Sequence, residues 1–139
     1  MPNPIKIASD FVDWQQRVFE NHTVAASPSA ATETTICSLT ISQDAIITKG
    51  IFLEAFAAYT VGTNGVSGNL KIRQTNTSGS TIAATGACTQ TAANLVSLAC
   101  QGVDASATLP GQVYVVTLTI ASGSATSTVS SVSLFATVV

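Results

Sequence analysis

The residues able to do chemistry are few. The chain of 139 residues holds one histidine, His22, three cysteines, Cys37, Cys88 and Cys100, and seven carboxylates. A Ser-His-Asp or Cys-His arrangement needs its general base held within hydrogen-bond reach of the nucleophile. His22 lies near the N-terminus, so such a site would depend on that segment folding back to place the base. His22 and the three cysteines make a zinc set in number only, because no two of them have the close spacing that preorganises a structural site. The cysteines leave two readings open. Either Cys88 and Cys100 oppose each other across a hairpin centred near Asn94 and are bridged while Cys37 stays buried and free, or all three are reduced, buried thiols, as a cytoplasmic origin favours.

The carboxylates are scattered. Asp10 and Asp13 have helix-start spacing, Glu33, Asp44 and Asp104 sit in or beside loops, and Glu54 interrupts an apolar run. Glycoside hydrolysis needs two acids facing each other across a cleft, with aromatic rings to stack the sugar. The strand region offers Phe52, Phe56, Tyr59, Tyr114 and Phe135 for that purpose. Glu54 stands out because a carboxylate among Phe52, Phe56 and Ala58 needs a partner. Lys49, Lys71 and Arg73 are nearest in sequence, so an ion pair is expected, within the chain or between subunits. Glycine-rich phosphate loops are absent. The inventory points away from an enzyme, and no cofactor or metal is expected.

The elements that must carry these residues are strands. Val, Ile and Thr make up 44 residues while charged residues are 9%, a balance typical of sheet proteins. In Gln112 to Ala121, Tyr114, Val116, Leu118 and Ile120 share one face. After Ser122-Gly123-Ser124, Val132, Leu134, Ala136 and Val138 share another, which reads as a C-terminal hairpin. Thr34 to Ile41 is the first clear strand, with Cys37, Leu39 and Ile41 on one side. Ile46 and Ile47 suggest a short strand. Ile51 to Val61 is apolar on both faces, so a second cover is expected over Phe52, Glu54, Phe56 and Ala58, from the N-terminal arm or another subunit. Asn64-Gly65 marks a turn. Leu70 and Ile72 then face inward against Asn69, Lys71 and Arg73, and further strands follow at Ile82 to Thr85 and Leu95 to Cys100. About eight strands with frequent turn signals predict one all-β domain, an antiparallel two-sheet sandwich of jelly-roll type over residues 34–139.

Residues 1–33 read differently. Ser9 caps a predicted amphipathic helix in which Phe11, Trp14, Val18 and Phe19 recur at helical spacing. This arm either plugs its own domain or docks on a partner. The single Trp and two of the five Phe residues are concentrated in it, and aromatic anchors are enriched at interfaces. Residues 21–35 then read as an extended linker or a first edge strand. Asn21-His22-Thr23 and Asn76-Thr77-Ser78 match glycosylation sequons, but no basic n-region and apolar h-region precede them, so both are taken as chance.

Charge placement carries the functional signal. After Arg73 the single charged side chain is Asp104. Soluble sheet domains protect their edges with charge or Pro, and Ser and Thr stand here instead. Hydroxyls solvate a face without repelling a neighbour, so the sequence predicts a protein that lives in an assembly, the alternative being a secreted domain with a Ser/Thr-rich surface. No apolar run reaches the roughly 20 residues needed to span a bilayer, and a net charge of -2 gives no electrostatic footprint for nucleic acid.

An N-terminal arm, followed by an Ala/Ser/Thr/Val-rich all-β domain ending in Val113-Tyr114-Val115-Val116-Thr117-Leu118-Thr119-Ile120 and Val132-Ser133-Leu134-Phe135-Ala136, resembles the jelly-roll head decoration (cement) proteins of tailed bacteriophages. The resemblance spans most of the chain and rests on pattern and size. It implies a homotrimer on the capsid surface of a virion, made in the host cytoplasm, that binds across neighbouring major capsid subunits and carries no catalytic residues. In that setting Phe11, Trp14, Val18 and Phe19 are the expected arm contact, and Phe52, Glu54, Phe56 and Ala58 the expected subunit interface. The alternative is a receptor-binding or tail-fibre module reading a host-surface glycan through loops such as residues 62–67 and 101–111.

Overall fold

The computed structural model describes residues 18–21, 32–61, 66–85, 88–90, 95–107, 109–120 and 127–139. Nine strands are found among them: β1 Val18–Asn21, β2 Thr34–Thr40, β3 Ile51–Val61, β4 Val66–Gln74, β5 Thr81–Ala84, β6 Cys88–Gln90, β7 Leu95–Asp104, β8 Val113–Ile120 and β9 Ser127–Val138. They form two antiparallel sheets. One has the order β1-β9-β3-β7 and the other β2-β8-β4-β5, with β6 also paired to β4. Strands adjacent in sequence mostly alternate between the sheets, which is the winding of a jelly-roll sandwich.

Period-two patterning decides what lies between the sheets. Ile51, Leu53, Ala55, Ala57 and Tyr59 of β3 and Val132, Leu134, Ala136 and Val138 of β9 are buried, facing Leu70 and Ile72 of β4 and Tyr114, Val116, Leu118 and Ile120 of β8. Burying each of the larger side chains contributes roughly 1.5–3 kcal/mol before ordering costs. In β2 the register skips between Thr35 and Cys37, and this bulge lets Ile36 and Cys37 both enter the core. Strict alternation would put Ile36 on the face opposite Cys37. Near the C-terminal end of β3, Tyr59 reaches across to β4 at Gly68, where an added Cβ would fall on the Tyr59 hydroxyl.

Several expectations are corrected. The C-terminal segments are not a hairpin: β8 pairs with β2 and β4, and β9 with β1 and β3. Each strand has an apolar inner face, so one in each sheet fills the core from both sides. β3 and β4 likewise lie in opposite sheets, and the Asn64-Gly65 turn itself falls outside the described residues. Ile46 and Ile47 form no strand. The chain there follows a Ser42–Ala45 turn and bonds Lys49 N to the Val139 carbonyl. Cys88 belongs to β6 against β4, whereas Cys100 belongs to β7 against β3. These two do not oppose each other across a hairpin, and Cys100 is a free thiol.

The N-terminal segment is corrected in part. Val18 and Phe19 are not helical; they belong to β1, whose residues Val18 and Phe19 pair with Thr137 and Ala136 of β9. Phe19 packs against the domain's own core. A strand of the sandwich therefore lies within the segment 1–33 assigned to the arm. Phe11 and Trp14, with the remainder of the expected helix, lie outside the described residues. No helix among the described residues is long and apolar enough to cross a membrane.

Candidate assembly interface

The outer face of the β1-β9-β3-β7 sheet brings the expected interface residues together. Phe52, Glu54, Phe56 and Ala58 alternate with the buried positions of β3 and all point away from the core. Register surrounds each with defined neighbours: Phe52 lies between Val103 and Thr137, Glu54 between Gln101 and Phe135, Phe56 between Ala99 and Ser133, and Ala58 between Ser97 and Ser131. Phe56 is 46% exposed, Val103 54% and Leu95 63%. Phe135 meets Phe56 edge to face, with ring centroids 6.2 Å apart and planes at 76°, a favourable geometry for aromatic pairs. The predicted second cover over this face is absent among the described residues.

Glu54 sits in the middle of this apolar surface and makes no hydrogen bond or ion pair with any described residue. The expected intramolecular pair is not formed, because two of its candidate partners are committed elsewhere. Lys71 Nζ lies 3.2 Å from Glu33 Oε2, and Arg73 engages both carboxylate oxygens of Glu33. These three residues occupy the outer face of the opposite sheet, where Thr117 also donates to Glu33. The Arg73 hydrogen bonds, with help from Thr117 and Lys71, outweigh burial and hold the Glu33 carboxyl down to about 2. The remaining candidate, Lys49, is exposed and uncommitted.

Beside Glu54 lies a shallow recess of about 120 Å³ lined by Glu54, Phe56, Ala99, Cys100 and Gln101. It has room for a few waters and is well short of the roughly 300 Å³ at which small-ligand sites begin. Burial pushes the Cys100 thiol up to about 11, which keeps it protonated and unreactive near neutral pH. No group of three or more His, Cys, Asp or Glu side chains able to hold a metal is found among the described residues. The arrangement offers exposed apolar area beside one carboxylate that pairs with no described residue.

One structural site was missed by reading the sequence. Asp104 was placed in or beside a loop, yet it is 3% exposed. Its carboxylate accepts hydrogen bonds from Gln74 Nε2 at 2.5 Å, Tyr114 Oη at 2.8 Å, and Ser106 N and Oγ at 3.0 and 2.6 Å. Burial alone would raise its pKa, but the donors from Ser106, Gln74 and Tyr114 together leave it lowered. Burial and the adjacent carboxylate hold the Tyr114 proton on well above the usual range. Asp104 thus ties the end of β7 in one sheet to β4 and β8 in the other. Its isolation in the uncharged half of the sequence was the available signal.

No family model matches the sequence, and no curated protein matches it. Solved structures do match in fold. The T13 viral particle of infectious bursal disease virus (IBDV) aligns with a TM-score of 0.65 at 12% identity, over 89% of this chain and 31% of that chain. The VP2 subviral particle of the same virus aligns at 0.64 and 14%, over 89% and 33%, and the Gx strain at 0.63 and 13%, over 89% and 32%. This chain spans about a third of the length of those chains. The likeness is one of fold.

Proposed function

We propose that this chain is a non-enzymatic structural protein of a virion, which decorates and cements the capsid as a homotrimer by binding across neighbouring major capsid subunits. The observation that carries the reading is the outer face around Phe56, where Phe56 and Val103 are exposed beside a Glu54 that pairs with no described residue. Exposed rings favour a partner that covers them, and a partner that also covers Glu54 must supply a cation, since a carboxylate buried without one is costly. Phe52, Glu54, Phe56 and Ala58 form the subunit contact in this reading, and Phe11 and Trp14 reach the capsid. The likeness to viral particle chains supports the reading through fold, since the same sandwich serves there in a shell. Repeated weak contacts suffice for a cement protein because avidity multiplies them.

The test has two parts. Sedimentation of the full chain is expected to give three copies per particle, and a single copy at high concentration overturns the trimer. Co-sedimentation with undecorated capsids is expected to fall on removing residues 1–17, a cut that leaves β1 in its sheet. Unchanged binding removes the arm from the mechanism. Binding to a host glycan with none to capsids would instead favour a receptor-binding module.

A further inference from the structure

We infer that the free edge of β7 is a docking edge for a second copy of this chain, which pairs antiparallel with the same strand about a two-fold axis through Ala99. The inference goes beyond the capsid reading and does not depend on it.

β7 pairs with β3 along one side, and its other backbone edge meets no strand among the described residues. Its inner face is occupied, since an added Cβ at Gly102 would press on the Ile82 carbonyl and on Ala83 of β5. The open edge carries none of the usual protection: no charged residue and no Pro occurs from Leu95 to Val103. Leu95, Ser97, Ala99, Gln101 and Val103 are all exposed.

Their order is self-complementary. With Ala99 on the axis, Leu95 lies opposite the partner's Val103, Ser97 opposite the partner's Gln101, and Ala99 opposite its own copy. Apolar side chains meet apolar ones, polar meet polar, and the smallest sits where two identical chains approach. Leu95 and Val103, 63% and 54% exposed, are both covered in this register. Centring on Ser97 leaves Val103 without a strand neighbour, and centring on Gln101 does the same to Leu95. Because Phe56 is beside Ala99 in the β3 register, the pairing also joins the Phe56 faces of two copies into one apolar row. A contact through one strand belongs to the small, weak class of interface, below about 1,200 Å². Dimerisation is therefore expected to depend on concentration.

Disulfide trapping tests the register. In the full chain carrying Cys100→Ser, mild oxidation of Ala99→Cys is expected to give a covalent dimer about tenfold faster than Ser97→Cys or Val103→Cys, because directly opposed Cβ atoms lie about 4.5–5.5 Å apart. A mixture of Leu95→Cys and Val103→Cys chains is expected to cross-link to the mixed dimer. If Ala99→Cys is no faster than Ser97→Cys while all variants keep the native circular dichroism spectrum, the register is refuted. A second measurement needs no cysteine. Leu95→Glu is expected to weaken dimerisation about tenfold, since two Leu–Val pairs are lost per dimer, and adding Val103→Lys is expected to restore it. Self-association indifferent to Leu95→Glu overturns the proposal. No capsid enters these assays, so their failure leaves the decoration reading standing, and loss of capsid binding leaves this pairing standing.

Discussion

Asp104→Ala is the most informative single perturbation of the fold. The wild-type carboxylate, at the end of β7, accepts four hydrogen bonds from three residues, Gln74 and Tyr114 on the opposite sheet and Ser106 in the turn after β7. Gln74 and Ser106 retain access to solvent, so water replaces much of what they lose. Tyr114 is fully buried, and its hydroxyl has no water to turn to. A buried group left without its partner costs about 1–3 kcal/mol, and bonds to a charged acceptor are at the upper end. Adding a reduced share for the other donors gives about 3–4 kcal/mol in total. For a chain of this size that corresponds to a fall in Tm of roughly 10–20 °C.

Thermal and urea unfolding at one fixed chain concentration would measure this loss. The cycle with Tyr114→Phe isolates the shared term. Removing the hydroxyl from the Ala variant is expected to recover about 1–2 kcal/mol of the loss, because the orphaned donor goes with it. Acid adds an independent check. The folded-state pKa of Asp104 is lowered, so its stabilisation is present above the unfolded-state value and lost as pH falls through the folded one. That contribution to the acid slope is expected to vanish in Asp104→Ala. A loss under about 1 kcal/mol, or strict additivity with Tyr114→Phe, would refute the view that Asp104 clamps the sheets together.

Two further outcomes are expected. Glu33 has its folded pKa lowered from 4.5 to about 2, so its contribution is complete above pH 4.5 and lost between pH 4.5 and 2. Glu33→Gln is expected to cost about 1–2 kcal/mol at pH 7 after discounting for the cluster's partial exposure and to flatten the stability profile in that window, as urea midpoints against pH would show. Gly68→Ala forces the new methyl onto the Tyr59 hydroxyl and is expected to cost about 1–3 kcal/mol. Pairing it with Tyr59→Phe is expected to relieve part of that cost in thermal unfolding.

Much of the sandwich was legible because alternation is a local property. β3 was bounded correctly at Ile51 and Val61, and the inward sets of β3, β8 and β9 were read from period two alone. The outward set of Phe52, Glu54, Phe56 and Ala58 followed from the same rule. What could not be read was which strand pairs with which. β8 and β9 look like a hairpin because hairpins and sheet-to-sheet crossings share the same short, turn-rich connections. Helical spacing from Phe11 to Phe19 competed with the free edge of β9, and at Val18 and Phe19 the ladder of hydrogen bonds prevailed.

Composition and spacing thus determined the class of fold and the identity of most core residues. Tertiary structure decided the partners. It committed Lys71 and Arg73 to Glu33 and left Glu54 without a partner among the described residues, and it drew Asp104 from an apparent loop into a contact between sheets. It also left one edge of β7 without a strand neighbour among the described residues. The physical reason is range: side-chain alternation is fixed by adjacent residues, whereas ion pairs, buried networks and open edges depend on which distant strands come to lie side by side.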